Sequence, residues 1–150
     1  MIFRLVNPFV IFILRSPVHW LLSNSLLVLT FRGRKTGRQI SVPVSYLKKD
    51  QYLVCVTAKQ NIWWRNLTNE DLILLDYRGK RCEFSFFLHT ENYTAIREIL
   101  GDLCLHSAID AYFANVKKLT RDTLDSKSLE EATQAHIAFE IILSNNNNDP

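Results

Sequence analysis

The sequence predicts an α+β domain in which a small antiparallel β-barrel of about six strands precedes a set of helices. Three observations lead to this prediction. Short stretches with strand-like alternation, separated by turn residues, fill residues 25–88. After residue 90 the apolar spacing becomes that of a helix, and residues 136–143 return to alternation. We therefore expect one domain over residues 1–143, followed by a disordered polar tail at residues 144–150.

Residues 25–31 form a short Leu/Val-rich run that predicts a buried strand, and the other strands are predicted mainly from alternation and from the turns between them. Pro43 cannot donate a hydrogen bond to a neighbouring strand, so it marks an edge or a bulge. Residues 48–50 are expected to form one hairpin loop, and Gly79 with Lys80 the two-residue turn of another. The unbroken apolar run at residues 72–75 predicts a strand that is covered on both faces. The predicted strands are residues 25–31, 39–47, 51–58, 72–78, 81–88 and 136–143.

Three helices are predicted in the second half of the chain. The spacing of Ile96, Ile99 and Leu103 gives one apolar helical face. Ser107 with Asp110 resembles a capping box, which predicts a second helix that continues through Val116. A third short helix is expected to start at Ser128, and a helical turn is expected over residues 61–69.

The amino-terminal stretch is strongly apolar, with Arg4 and Arg15 at its edges. It is too short to span a bilayer, which needs about 20 apolar residues, and it lacks the cleavage site of a signal peptide. We expect residues 8–14 to form a helix that packs on the domain. The alternative is peripheral membrane contact through residues 1–15.

Composition argues against several function classes. A net charge of +3 is too small to predict nucleic-acid binding, and the strand that carries Phe84, Phe86 and Phe87 has few basic residues. The three cysteines and four histidines have no metal-ligand spacing, so no metal site is expected. The widely separated cysteines favour a reducing compartment and a cytoplasmic location.

The first candidate site is the cationic loop, which we define as residues 33–38. Gly33 and Gly37 bracket Arg34, Lys35 and Thr36, and Arg38 follows at the start of the next strand. Glycines let the backbone curl around an anion, while the side chains offer charged and hydroxyl donors. The loop therefore suits a phosphate or another anion, although a solvated basic turn would have the same composition.

The second candidate site is the segment that carries Trp63, Trp64 and Asn66. Adjacent helical residues point about 100° apart, so we expect one tryptophan to pack on the barrel and the other to border a cleft. Such a cleft suits a flat ring, whereas two aromatics that merely seal a barrel end are the structural alternative. Together the two segments predict a site for a phosphorylated aromatic cofactor. Since no general base stands out, that cofactor would carry the difficult chemistry.

The cationic loop, Pro43 with Val44, and residues 63–67, at these distances, resemble the deazaflavin (F420)-dependent nitroreductase family of the split β-barrel flavin-binding superfamily. The resemblance covers residues 7–80 well and the remainder in outline. It implies an FMN-binding split-barrel-like fold, F420 or FMN as cofactor, and hydride transfer to a nitroaromatic, a quinone or a similar unsaturated acceptor. It also makes a homodimer plausible.

The resemblance further implies which residues would contact the cofactor. The loop residues would hold its phosphate or acidic tail, and the others would line and close the ring pocket. The alternative function is a non-catalytic barrel that binds flavin, haem or a lipid-like ligand. The implied cofactor-binding residues are Arg34, Lys35, Thr36, Gly37, Arg38, Pro43, Val56, Thr57, Ala58, Lys59, Trp63, Trp64 and Asn66.

Overall fold

Two four-stranded antiparallel sheets enclose the main core in the computed structural model, which describes residues 25–68 and 71–143. The predicted helix at residues 8–14 and the predicted tail lie outside the described residues. The strands are β1 (Leu26–Arg32), β2 (Gln39–Ser45), β3 (Leu47–Lys49), β4 (Tyr52–Ala58), β5 (Ile73–Tyr77), β6 (Lys80–Phe84), β7 (Phe86–His89) and β8 (His136–Ile142). The α-helices of the described residues are α1 (Tyr93–His106), α2 (Ala108–Phe113) and α3 (Ser126–Ala135).

The strand count exceeds the prediction because two long strands are each divided at one residue. Sheet A has the order β2-β1-β5-β6, and sheet B has the order β3-β4-β8-β7. Only Tyr46 separates β2 from β3, and only Ser85 separates β6 from β7, so both breaks occur where the chain passes from one sheet to the other. The α+β class is confirmed. The strand pairs among the described residues do not join the sheets, so their closure into a split β-barrel stays a prediction.

The core between the sheets comes from one face of each strand. Leu27, Leu29 and Phe31 of β1 alternate inward, as do Ile137 and Phe139 of β8, and all are buried. On the other face of sheet B, α1 packs its apolar stripe against the sheet. Alternation therefore located the inner face of β8, while β1, which was predicted as a buried strand, is buried throughout residues 27–31.

Strand β5 departs from its prediction. Ile73 and Leu75 are fully buried, but Leu72 is 57% exposed and Leu74 is half-buried. The run of four apolar residues therefore does not mark a strand covered on both faces. Leu72 and Leu74 instead line a groove that is described below.

Both hairpin turns are displaced from the predicted positions. Tyr77 pairs with Lys80, so Arg78 and Gly79 form the two-residue turn, with φ of 47° and 76°. Positive φ at both central residues is the type I′ geometry, whose twist matches the flanking strands. In the earlier hairpin Lys49 pairs with Tyr52, which leaves Asp50 and Gln51 as the turn. Pro43 lies on β2, an edge strand of sheet A, as its missing donor predicts.

Each helix starts at a side-chain cap. Asn92 caps α1, Ser107 caps α2, and Asp125, directly before Ser126, caps α3. Helix α3 therefore begins before the predicted Ser128, and α2 ends at Phe113 rather than continuing through Val116. No helix in residues 25–68 or 71–143 is both long and apolar enough to cross a membrane.

The three cysteines lie in different environments, which predicts different thiol reactivity. Burial raises the pKa of Cys55 to about 12 and that of Cys104 to about 11, whereas Cys82 is half-buried on β6. Because the thiolate is the reactive species, we expect only Cys82 to react rapidly with a thiol reagent in the native protein. Absorbance with an aromatic disulfide reagent measures this. Cys82→Ser should abolish the rapid phase, and all three thiols should react after denaturation; rapid reaction of the Cys82→Ser protein would contradict the assignment.

Candidate functional site

The cationic loop is a closed turn that its own backbone holds together. The N–H of Gly37 donates to the carbonyl of Gly33 at 2.8 Å, and the N–H of Gly33 donates to the carbonyl of Arg38 at 2.9 Å. Gly37 has a φ of +64°, which a side chain would strain. At Gly33 a Cβ would approach Ile40 Cδ1 to 3.1 Å. The backbone conformation therefore favours glycine at position 37, whereas a side chain at position 33 would press on the end of the Ile40 side chain.

Most backbone donors of this loop are engaged inside the protein. Besides the two glycine N–H groups, the N–H of Arg38 donates to Thr36 Oγ1 at 3.3 Å, and that of Arg34 donates to Asn66 Oδ1 at 3.1 Å. This differs from the expectation of a backbone cradle around a phosphate. The loop's capacity for an anion rests instead on its side chains.

Those side chains are suited to an anion. Lys35, Thr36 and Arg38 are exposed, and in the part of the chain that the structure describes neither Lys35 nor Arg38 forms an ion pair. An ammonium and a guanidinium on one tight turn offer a point charge and a fork of donors to the same ligand. The loop is therefore a free cationic surface beside a fixed backbone.

Asn66 joins the cationic loop to the tryptophan turn, which we define as the 3₁₀-helix Ile62–Asn66. Its side-chain oxygen accepts from the N–H of Arg34, and its backbone carbonyl accepts from Arg34 Nε at 3.1 Å. Its side-chain amide donates to the carbonyl of Trp63 at 2.8 Å. Asn66 was expected to close a ring pocket; its hydrogen bonds show that it links two segments that lie 32 residues apart in sequence.

The two tryptophans separate as their helical spacing predicts. Trp63 stacks on Phe139 with ring centroids 5.6 Å apart and an interplanar angle of 5°, and on Phe31 at 5.7 Å. Phe31 and Phe139 come from different sheets, so the Trp63 ring spans the open end of the core. Its placement supports the structural role for this tryptophan.

Trp64 is half-buried like Trp63 and also packs in part against the core. Its Nε1 donates to the carbonyl of Lys59 at 3.2 Å, and the guanidinium of Arg65 lies 5.4 Å from its ring centroid. The ammonium of Lys59 in turn lies 5.0 Å over the Tyr93 ring. Lys59 is half-buried as well. The hydrogen bond between Trp64 and Lys59 brings these two predicted residues together at the tryptophan turn.

Four other predicted residues do not contact the cationic loop or the tryptophan turn in a shared pocket. Pro43 pairs with Val28 in the middle of the β1–β2 ladder, and Val56 packs against the apolar clusters around α1. Thr57 is buried and bonds to Asn61 at 3.2 Å, while Ala58 ends β4. The alternation of β4 explains the split, because successive side chains leave the strand on opposite faces.

A groove of about 640 Å³ opens beside the cationic loop, on the face of sheet A that points away from the core. Thr30 lies on this face, where it bonds to Ser41 at 2.9 Å. Sequence reasoning missed this groove because the apolar run at residues 72–75 predicted a strand covered on both faces. The lining includes Arg32, Arg34, Asn66, Asp71, Leu74 and Glu83.

His136 lies near the Lys59 end of the site and is buried. Its Nδ1 donates to the carbonyl of Ala132 at 2.7 Å, so Nδ1 carries a proton. Burial lowers the pKa of His136 below its ordinary value of 6.5, and the nearby Lys59 charge lowers it further. Among the described residues no group of three His, Cys, Asp or Glu side chains is placed to hold a metal ion.

We expect His136 to make folding stability depend on pH. Because its folded pKa lies below its unfolded pKa, the unfolded chain takes up a proton first as the pH falls. The free energy of unfolding should therefore fall as the pH drops below about 6.5 toward the folded pKa. Urea unfolding on both sides of that pH measures the loss. His136→Gln should show a smaller loss than the wild type; an equal loss in both proteins would assign it to other groups.

Comparisons with known proteins show the fold. No protein-family model matches the chain, and no curated protein matches it. Among solved structures, one described as a domain-swapped dimer matches with a TM-score of 0.51 at 13% identity, covering 84% of this chain and 99% of that chain. At this identity the likeness shows the fold alone. A structure described as an F420-H2 dependent reductase, FDR-A, matches with a TM-score of 0.47 at 12% identity, covering 77% of this chain and 93% of that chain. That second likeness is too distant to support an argument.

Proposed function

We propose that this protein is a deazaflavin (F420)-dependent oxidoreductase that transfers hydride to a nitroaromatic, a quinone or a similar unsaturated acceptor. The observation that carries the proposal is the pair of hydrogen bonds between Arg34 and Asn66. These bonds join an anion-binding loop to an aromatic turn, which are the two parts needed for a phosphorylated ring cofactor. The sequence resemblance to the nitroreductase family supports the same assignment.

The donor set fits the anionic part of such a cofactor. Lys35, Arg38 and the Thr36 hydroxyl are exposed on one turn and would hold the phosphate or acidic tail. Trp64 and Lys59 would face the ring from the adjoining turn. When bound, the deazaflavin supplies the hydride. The protein's own residues bind the cofactor, orient it and keep its charged tail at the loop.

FMN carries a phosphate as well, so the cationic loop alone does not separate the two cofactors. The deciding experiment starts with the visible absorbance of the purified protein. Separate titrations with F420 and FMN then follow tryptophan emission, and turnover is measured with a quinone and with a nitroaromatic. We expect binding of F420 and acceptor-dependent oxidation of its reduced form. Binding of either ring without turnover would favour the non-catalytic alternative, and no binding of either would overturn the proposal.

We also propose a homodimer and a cytoplasmic location for this oxidoreductase. The structural neighbour with the TM-score of 0.51 is described as a domain-swapped dimer. Sedimentation velocity over a range of protein concentrations tests the assembly. A single monomeric species at every concentration would exclude the dimer.

A further inference from the structure

Lys59, directly after β4, is held from three sides. Its N–H donates to the carbonyl of Ala135, the last residue of α3, at 2.8 Å. Its carbonyl accepts from Trp64 Nε1 at 3.2 Å, and its ammonium nitrogen lies 5.0 Å from the centroid of the Tyr93 ring. The first two contacts fix the backbone, and the third directs the side chain toward the start of α1. Lys59 therefore presents its charge at a defined place beside the tryptophan turn.

The charge of Lys59 is not balanced by a carboxylate. Within residues 25–68 and 71–143 it forms no ion pair, and Glu91, the acidic residue nearest to Tyr93 in sequence, is exposed and makes none with it. The lysine charge instead acts on His136, whose pKa it helps to lower. Because buried charges in proteins are usually paired, a half-buried ammonium without a partner favours an anionic ligand.

Tyr93 is a residue that sequence reasoning did not select. It is the first residue of α1, next to the cap residue Asn92, whose side chain accepts from the N–H of Ala95 at 3.2 Å. The N–H of Tyr93 also donates to the carbonyl of Glu91 at 2.9 Å. Backbone contacts thus place the ring without help from Lys59, and the ring is 40% exposed. An aromatic face attracts a cation, so Tyr93 restricts where the Lys59 ammonium can lie.

We propose that Lys59, positioned by Tyr93, binds a negatively charged planar ring and thereby selects the ring that the site accepts. Trp64 is bonded to the same lysine and supplies an aromatic surface beside that charge. The deazaflavin ring of F420 has an acidic hydroxyl, which is ionised at mildly alkaline pH, whereas the ring of FMN is neutral there. An ammonium that lacks a carboxylate partner therefore favours the deazaflavin.

This inference rests on the proposed function, because it takes the cofactor ring to lie at the tryptophan turn. It adds that Tyr93 positions Lys59, and that the choice between the two cofactors depends on the charge of the ring. The cationic loop cannot make that choice, since both cofactors carry a phosphate. Probes without a phosphate therefore isolate the contribution of Lys59.

Binding of two phosphate-free rings at mildly alkaline pH tests the proposal. The probes are the ribityl deazaflavin that corresponds to F420 without its phosphate, and riboflavin, which is FMN without its phosphate. We expect the wild type to bind the deazaflavin about tenfold or more tightly than riboflavin, as one charge-assisted contact predicts. Lys59→Met keeps the length of the side chain and should reduce the preference to about twofold or less, mainly by weakening the deazaflavin.

Two substitutions of Tyr93 separate positioning from general stability. Tyr93→Phe keeps the aromatic face and should keep the preference, whereas Tyr93→Leu should weaken deazaflavin binding about threefold to fivefold. A ligand-free signal checks the geometry. Methylation with labelled formaldehyde keeps the lysine charge, and the ring current of Tyr93 should shift the methyl resonance of Lys59 upfield. The shift should persist in Tyr93→Phe and vanish in Tyr93→Leu, and Lys59→Met identifies the resonance.

Lys127→Met is the matched control, because it removes an exposed lysine on α3 outside the site and should leave the preference unchanged. Lys59→Gln provides a second neutral side chain if the methionine variant does not fold. Equal affinity of the wild type for the two probes, no binding of either, or an undiminished preference in the Lys59 variants would overturn the inference. So would a methyl shift that survives in Tyr93→Leu. Binding and turnover of F420 together with any of these results would leave the oxidoreductase proposal standing.

Discussion

Replacing Lys35 by alanine is expected to weaken cofactor binding by about 1.5–3 kcal/mol, which is the loss of one charge-assisted hydrogen bond. Lys35 is exposed on the cationic loop and forms no ion pair within the described residues, so no folded-state contact is lost with it. The free energy of unfolding without ligand should stay within about 0.5 kcal/mol of the wild type. Fluorescence titration with F420 measures the first effect, and urea unfolding measures the second.

Lys127→Ala is the matched control for this prediction. Lys127 is an exposed lysine on α3, outside the cationic loop, so its removal changes net charge equally without touching the site. If the two variants lose affinity equally, long-range charge explains the effect. If Lys35→Ala keeps full affinity, the cationic loop does not bind the cofactor's anion.

Replacing Trp63 by alanine is expected to destabilise the fold by about 3–5 kcal/mol. Its ring stacks between Phe31 and Phe139, and those partners belong to different sheets. Removing it would leave a cavity where the two sheets meet and would expose both phenylalanine rings at the open end of the core. Chemical unfolding followed by circular dichroism measures the change, since that signal does not depend on tryptophan emission.

The neighbouring Trp64→Ala supplies the control, because the two substitutions remove the same side chain from adjacent residues. Both tryptophans are half-buried and pack against the core, but Trp64 contacts Arg65 and Lys59 rather than aromatic rings of both sheets, so its loss should cost less stability. It should instead remove much of the emission quench that a bound ring produces. A larger loss of stability in Trp64→Ala than in Trp63→Ala would reverse the roles assigned to the pair.

Alternation predicted the strands well because the inward faces of β1 and β8 are continuously apolar. It could not show that Tyr46 and Ser85 divide long strands between two sheets, since the division depends on which strand lies alongside. The type I′ turn was misplaced by one residue because Arg78, not glycine, occupies its first position at a φ of 47°. Strand pairing on both sides imposed a backbone conformation that local preference disfavours.

The sequence predicted which residues form the two segments of the candidate site, but it did not predict how those segments contact each other. The glycines of the cationic loop and the two tryptophans could be selected from the sequence by residue type and spacing. The link through Asn66 joins residues 32 positions apart, and no local pattern encodes such a contact. Val56 packs against α1 because its side chain lies on the face of β4 that the helix covers. The sequence alone does not show which face of β4 the helix covers.

The pairing of β4 with β8 has a consequence for synthesis. Every residue of β4, from Tyr52 to Ala58, pairs with a residue of β8, from Ile142 to His136. A nascent chain therefore carries an unpaired, largely apolar β4 edge until residues 136–142 have also left the ribosome. Such contacts between distant residues form slowly, and exposed strand edges promote aggregation. Sheet B can therefore be completed only after β8 has been synthesised, which leaves this edge open to other chains in the meantime.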